Sequence, residues 1–293
     1  MTWSTQLLSA LERHPLALYF SLTFCLSWSF WIPGALLFAG TGQAESLLNS
    51  PVFILLQTLG AAGPSLAAIF VVRSLYGRQK LNELFGRFKK WKVGKGWYLV
   101  SIFMVPLIAL ASIAVRALVA LAGSESFALP AESPLRQTLD DIGLLGLVLS
   151  LPVIFVSQLF TSPLLEELGW RGFALPMLQD KFNALGSSLI LSLIWGAWHL
   201  PLILAYGDNV LAYLALMIAH TILMSWVFNS TGGSLLIALL FHASLNVSLN
   251  VLAVGRQDVI QLLLTWAVAL LVIIRYGPEN LSKSGRFWWE GGS

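Results

Sequence analysis

The chain has 293 residues, of which 57% are hydrophobic and 11% are charged, with a formal net charge of +3 and a mean hydropathy of +0.78. This composition excludes an ordinary soluble domain, in which about 25% of the residues are charged. It indicates a protein that buries most of its surface in a bilayer, so its main elements should be apolar helices that cross about 30 Å of hydrocarbon.

Eight apolar segments have the length, or nearly the length, of a membrane-spanning helix. In chain order they cover residues 16–38, 51–72, 97–122, 144–165 and beyond, 186–205, 209–228, 234–254 and 259–274. The last segment is short for a span. The sequence therefore predicts an all-α polytopic membrane bundle of about eight transmembrane helices, which forms a single integral-membrane domain over residues 1–293.

The first apolar segment is predicted to be retained as a helix. Its apolar stretch is longer than the core of a cleavable signal, which usually covers about 7–15 residues. Cys25, the only cysteine of the chain, lies in this segment. A single cysteine cannot form an intrachain disulfide, and we interpret Cys25 as a small apolar packing residue.

The basic residues predict the orientation of the bundle. Of the 17 Lys and Arg residues, eight lie between the second and third apolar segments, whereas the next loop is acidic. Basic residues near the ends of spans are retained on the cytoplasmic side. The loop at 73–96 is therefore predicted to be cytoplasmic, and eight spans then place the N and C termini there too. We expect an integral protein of the plasma (inner) membrane.

The same loop, residues 73–96, has the pattern of an amphipathic helix. Leu81, Leu84, Phe85 and Phe88 alternate with basic residues at helical spacing, which suits a helix that lies on anionic lipid headgroups. Topology and lipid contact account for these charges, so we expect the lipid bilayer as a partner and no nucleic acid.

Three charged residues interrupt the fourth apolar segment. An ionised group near the centre of a spanning helix costs roughly 2.5 to 3.5 kcal/mol, which makes these residues functional candidates. Glu167 and Arg171 are four residues apart and share a helix face, whereas Glu166 points away from Arg171. Glu166 is thus predicted to be available as a general base. The alternative is a solvated salt bridge at a cytoplasmic helix end.

Two histidines lie inside later apolar segments. His199 follows the run Trp-Gly-Ala-Trp, and His242 precedes Asn246 by four residues, which places an imidazole and a carboxamide on one helix face. At 1.5 Å of rise per residue, Glu166, His242 and His199 lie roughly 15, 14 and 20 Å from the inner helix ends. A shared level predicts one water-filled cavity, open toward the cytoplasm. Pro201 is close to His199, where a kink would widen this cavity.

Three motifs on successive segments carry a family resemblance. Glu-Glu-x-x-x-Arg, aromatic-x-x-x-His and His-x-x-x-Asn, in this order, resemble the CPBP family of membrane proteins, also called the ABI family. That family contains the type II CAAX prenyl endopeptidases and bacteriocin-processing or immunity proteins. The resemblance covers about residues 80–254, the predicted family-like core. It implies an eight-helix, metal-independent, glutamic-type intramembrane protease.

The resemblance also implies roles for individual residues. Glu166 and His199 would activate a water molecule, and His242 and Asn246 would form an oxyanion hole. Glu167 and Arg171 would hold the helix geometry. Trp195 stands where the family pattern usually has Phe, and we expect it to alter the shape of the cavity rather than its chemistry.

The predicted activity is hydrolysis of a peptide bond in a membrane-associated protein or peptide, with or without a lipid modification, and with no cofactor or metal. One alternative is a zinc-dependent protease with Glu166, His199 and His242 as ligands and His220 as a fourth, although no His-Glu-x-x-His motif is present. The other is a non-catalytic bacteriocin-immunity or binding protein of the same fold.

Overall fold

The computed structural model describes residues 13–38, 50–124, 126–131, 133–254 and 258–289, and all regular structure within them is helical. The helices are α1 (Pro15–Phe38), α2 (Pro51–Ala61), α3 (Gly63–Val71), α4 (Gly77–Gly86), α5 (Lys95–Ala122), α6 (Pro134–Leu159), α7 (Ser162–Gly169), α8 (Leu175–Gln179), α9 (Ala184–Trp198), α10 (Leu200–Tyr206), α11 (Val210–Ser230), α12 (Leu235–Asn250) and α13 (Val259–Tyr276).

The predicted all-α membrane bundle is confirmed, but fewer than eight spans are supported. Six helical segments of the described chain are long and apolar enough to span a membrane, or seven if α9 and α10 form one bent span. The seventh predicted segment is α12, which has only 16 residues. Most residues of α12 are buried among other helices, so its ends need not reach the surfaces of the bilayer.

Two of the predicted spans are broken at defined residues. The predicted segment at 144–165 contains the end of α6 and a new start at α7, whose first turn holds Pro163, a position where the missing N–H costs nothing. The predicted kink beside His199 is confirmed, because α9 and α10 meet there at 54°. Pro201, in the first turn of α10, cannot continue the backbone hydrogen bonds of α9.

The helix that carries the glutamate pair is pressed against α3. A Cβ atom at Gly169 would collide with the backbone carbonyl of Pro64, so only glycine permits this approach. After Gly169 the chain forms a wider π-helical turn, Trp170–Ala174, before α8 begins. All five residues of this turn are buried. α7, the turn and α8 therefore form one continuous wall of the bundle core.

One end of the bundle carries the basic segment and is closed by the C-terminal residues. Arg87 is buried, donates a hydrogen bond to the Gly172 carbonyl and lies 4.6 Å from the centre of the Phe287 ring. Lys90 Nζ donates to the Gly232 carbonyl at 2.8 Å, between α11 and α12. We call this the basic end.

The opposite end lies where α10 and α12 end and where α11 and α13 begin. Asp258 caps α13 and forms two hydrogen bonds with Arg116 of α5, at 2.6 and 3.1 Å. We call this the distal end. The first described helix starts at the basic end, since Tyr19 contacts Phe173, which in turn contacts Trp289. Which end faces the cytoplasm stays a prediction from the basic residues.

Candidate active site

A cavity of about 500 Å³ contains all four predicted catalytic residues in its walls. Glu166 comes from α7, His199 from the junction of α9 and α10, and His242 and Asn246 from α12. Trp195 and His220 also line it. The polar groups that the sequence places at one level of the bundle thus line a single cavity.

Glu166 is buried and its carboxylate has a neutral partner. Its side chain is only 2% exposed, and Oε2 accepts a hydrogen bond from Trp195 Nε1 at 3.0 Å. No salt bridge involves Glu166 in the described part of the chain. A buried carboxylate without a cationic partner keeps its capacity to accept a proton. This is the arrangement that the helical spacing predicts.

Trp195 forms a hydrogen bond in addition to shaping the cavity, a contact that the sequence interpretation did not include. The indole N–H that bonds Glu166 is a group that phenylalanine lacks. The indole ring also lies 4.3 Å from the Arg171 guanidinium carbon and 5.5 Å from the His242 ring. The signal was present in the sequence, because Trp195 lies one helical turn before His199 and carries an N–H that can donate to a carboxylate on a neighbouring helix.

Glu167 forms the predicted ion pair and a second contact that the sequence did not reveal. Its Oε1 is 2.9 Å from Arg171 Nη1 and 2.7 Å from His242 Nδ1, and both the carboxylate and the guanidinium are fully buried. Because a carboxylate accepts, Nδ1 of His242 carries a proton and Nε2 is left for other partners. Glu167 therefore fixes the orientation of the His242 ring as well as the helix geometry.

His199 is held by its own helix and by aromatic rings. Its Nδ1 lies 2.9 Å from the Trp195 carbonyl, which can only accept, so Nδ1 carries the proton and Nε2 of the neutral ring is an acceptor. The rings of Trp198 and Tyr213 lie 4.6 and 5.7 Å away. Trp195 joins the two predicted partners, because its N–H bonds Glu166 and its carbonyl bonds His199.

Asn246 has a partner that the sequence reasoning missed. Its Nδ2 donates to Ser162 Oγ at 3.0 Å, which uses one N–H of the amide and leaves the second for another acceptor. Ser162 opens α7 four residues before Glu166, so the two side chains share a helix face. That spacing was the available signal.

His220 lies in the cavity wall but has no role in the predicted chemistry. It is 2% exposed, and its Nε2 has no hydrogen-bond partner among the described residues. No group of three or more His, Cys, Asp or Glu side chains in the described ranges is arranged to hold a metal ion. The zinc alternative, with Glu166, His199, His242 and His220, therefore lacks a suitable donor arrangement in this part of the chain.

The cavity extends from the site toward the distal end. Its outer wall includes Gln57 and Tyr206, together with Asp208, Ala212 and Asp258 around the start of α11 and α13. The sequence reasoning placed the basic loop in the cytoplasm and also expected the site to open toward the cytoplasm. These two expectations are incompatible, because the cavity and the basic loop lie toward opposite ends of the bundle.

Comparison of the sequence with known proteins relates this chain to membrane endopeptidases. The family model described as Type II CAAX prenyl endopeptidase Rce1-like matches residues 148–248, which include all four predicted catalytic residues. The chain is also 25% identical to CAAX prenyl protease 2 of Methanococcus maripaludis over 286 residues, 92% of this chain and 96% of that protein. The chain is a membrane endopeptidase by these comparisons. They confirm the resemblance to the family that contains the type II CAAX prenyl endopeptidases.

Proposed function

We propose that the chain hydrolyses a peptide bond of a membrane-associated protein or peptide, with Glu166 as the general base. The supporting observation is the unequal pairing of two adjacent carboxylates. Glu167 is committed to Arg171 and His242, whereas Glu166 accepts one neutral hydrogen bond inside the cavity. A group that must accept a proton during turnover has to be free of a permanent cationic partner.

The nucleophile is a water molecule held between Glu166 and His199. No hydrogen bond joins these two residues directly in the described part of the chain, and both line the same cavity. The water donates one proton to Glu166 and hydrogen-bonds to Nε2 of His199. Its oxygen attacks the peptide carbonyl, Glu166 takes the proton, and the same proton then passes to the departing amine nitrogen as the C–N bond breaks.

Asn246 and His242 stabilise the negative charge that develops on the carbonyl oxygen. The N–H of Asn246 that Ser162 does not use is one donor. His242 is the second donor, and it requires protons on both ring nitrogens, because Nδ1 already faces Glu167. Donors arranged before the reaction begins need no reorganisation as charge forms.

The proposed substrate class is supported by the membrane setting of the bundle and by the name of the matched protein. The matched archaeal protein is named a prenyl protease, and this cavity combines polar catalytic groups with apolar walls from Leu202, Leu245 and Leu262. Such walls suit a chain with an apolar or lipid-modified segment that arrives from the bilayer. The plasma membrane is the proposed location, and the partners are a protein or peptide substrate and lipid, without nucleic acid.

The test compares protein termini in cells that carry the wild-type chain or Glu166→Gln. Termini that depend on the enzyme should disappear with Glu166→Gln, because glutamine keeps the size of the side chain and cannot accept the proton. Glu279→Gln is the matched control, since that carboxylate is 70% exposed and lies 3.6 Å from Arg286. Identical termini in wild-type and Glu166→Gln cells, at equal protein levels, would contradict the proposed role.

A further inference from the structure

The direction in which the cavity runs is set by the helices that line it. In α11, cavity residues come from the first half of the helix, from Ala212 to His220, while the helix ends beside Gly232 at the basic end. In α13 they come from the first turn, Val259 to Leu262. The cavity therefore reaches the distal end and not the end that carries the basic segment.

A solid layer separates the site from the basic end. Trp170, Arg171 and Phe173 of the π-helical turn are fully buried, as is Phe228 of α11. Arg171 fills part of this layer through its contacts with Glu167 and the Met224 sulfur. A peptide that approached from the basic end would have to displace the centre of the bundle.

The C-terminal segment adds a second layer at the basic end. The side-chain amides of Gln179 and Asn229 bond each other at 2.7 and 3.1 Å, and Asn229 also bonds the backbone of Asn280 and Phe287. Trp289 packs on Phe173 with ring centres 5.3 Å apart. This end is therefore covered by chain that contacts α8, α11, the π-helical turn and the basic segment.

The charge distribution identifies the covered end. Eight of the 17 basic residues lie in the segment that folds over it, and segments rich in Lys and Arg are retained in the cytoplasm during insertion. Among the described residues, the mouth of the cavity has no comparable basic cluster. Its charged lining residues are Asp208 and Asp258, and Asp258 is paired with Arg116.

We infer that the substrate enters this site from the non-cytoplasmic face of the membrane. The inference rests on the proposed function and names its substrate class. The scissile bond belongs to a segment that has already crossed the bilayer, either in an exported peptide or in the outer part of a membrane protein. A C-terminal segment of a cytoplasmic protein would meet the closed end of the bundle.

Single-cysteine labelling tests the direction without any need for a substrate. Cys25 is first replaced by serine. Asp208→Cys then marks the cavity mouth, and Lys89→Cys marks the basic end, where Lys89 is exposed. A membrane-impermeant maleimide mass tag should modify Asp208→Cys in right-side-out spheroplasts and Lys89→Cys only in inside-out vesicles. The reverse pattern, or labelling of both variants from the same side, would overturn the inference and leave the role of Glu166 untouched.

A second measurement uses the enzyme-dependent termini defined by the Glu166→Gln comparison. Tagging Asp208→Cys in intact spheroplasts should slow the appearance of these termini at least tenfold relative to the untagged variant, because the tag blocks the mouth of the cavity. The same treatment of Lys89→Cys spheroplasts should change nothing. Undiminished processing after complete tagging of Asp208→Cys would show that substrate enters elsewhere.

Discussion

A buried asparagine and a half-buried one show how differently the two ends of the bundle use the same chemical group. Asn229, at the basic end, forms hydrogen bonds with Gln179, Asn280 and Phe287 that use both its oxygen and its nitrogen. Asn246, in the cavity, has a single side-chain bond to Ser162. A polar side chain whose hydrogen-bond donors and acceptors are all paired holds the fold together, whereas one with an unused donor is available for a ligand.

The adjacent glutamates repeat this contrast within one helical turn. Glu167 meets two cationic or protonated partners and contributes to packing, while Glu166 meets only an indole N–H. Burial alone therefore does not identify a catalytic residue in this bundle. We assign the carboxylate that is held by charged or protonated partners within the protein to structure, and the carboxylate that meets only a neutral donor in the cavity to catalysis.

The largest expected effect on catalysis is that of Glu166→Gln. Loss of a general base typically costs about 10²- to 10⁴-fold in turnover, and the thermal midpoint should stay within a few degrees because the side chain is nearly isosteric. Cleavage of an enzyme-dependent peptide by the purified variant in liposomes measures the first quantity, and thermal unfolding in detergent measures the second. Retained turnover would remove Glu166 from the mechanism.

Glu167→Gln should act mainly on stability. The substitution leaves the buried Arg171 guanidinium without its anionic partner, and breaking a buried ion pair in this way costs about 3 to 5 kcal/mol. The thermal midpoint should therefore fall clearly below that of Glu166→Gln, whose side chain has no such partner. Equal midpoints for the two variants would break the distinction drawn between the neighbouring carboxylates.

Asn246→Ala should reduce turnover by about 10²- to 10³-fold, the usual cost of one lost oxyanion donor. Its stability should change little, because only one hydrogen bond is removed. Asn229→Ala is the matched control, which should lower the thermal midpoint through its several lost bonds and leave the turnover of the folded fraction unchanged. A drop in turnover for Asn229→Ala as large as for Asn246→Ala would contradict this assignment.

Ser162→Ala should have a smaller effect, about five- to tenfold in kcat, because one neutral hydrogen bond is worth about 1 kcal/mol. The serine positions the Asn246 amide and does not itself touch the reacting atoms. KM should change little, and Ser162→Thr should restore most of kcat because it keeps the hydroxyl. If Ser162→Ala lowers the thermal midpoint and leaves kcat intact, the contact is purely structural.

The smallest expected effect is that of metal removal. Dialysis of the purified enzyme against a strong chelator should leave turnover unchanged, because no group of three or more His, Cys, Asp or Glu side chains among the described residues is arranged to hold a metal ion. Metal analysis of the same sample should show less than one equivalent of zinc. Loss of activity on chelation, with recovery on zinc addition, would favour the metalloprotease alternative.

Local features of the site were readable from the sequence because they depend on helix period alone. The Glu167–Arg171 pair follows from a spacing of four, and the bend after His199 follows from a proline that cannot donate. The family motifs added the candidate roles of His242 and Asn246. The apolar segments gave the all-helical bundle, while their lengths overstated the number of full spans because α12 is enclosed by protein.

Contacts between helices were not readable in the same way. Trp195 to Glu166, His242 to Glu167 and Ser162 to Asn246 depend on which helix faces meet, and no spacing within one segment specifies that. That the cavity runs away from the basic segment was not readable from the sequence for a related reason. Counting residues along a helix gives the distance of a site from the helix end. Which end of the cavity is closed depends instead on packing by Arg171, Met224 and the distant C-terminal segment.

The π-helical turn at Trp170–Ala174 makes chain length critical immediately after the glutamates. An ordinary α-helix would accommodate one residue fewer, and each residue rotates a helix by about 100°. Deleting Phe173 or Ala174 would keep every motif residue yet rotate α8 away from its contacts with α11 and the C-terminal residues. When homologous chains are aligned, a gap at this turn should therefore count as a change in architecture rather than as harmless variation.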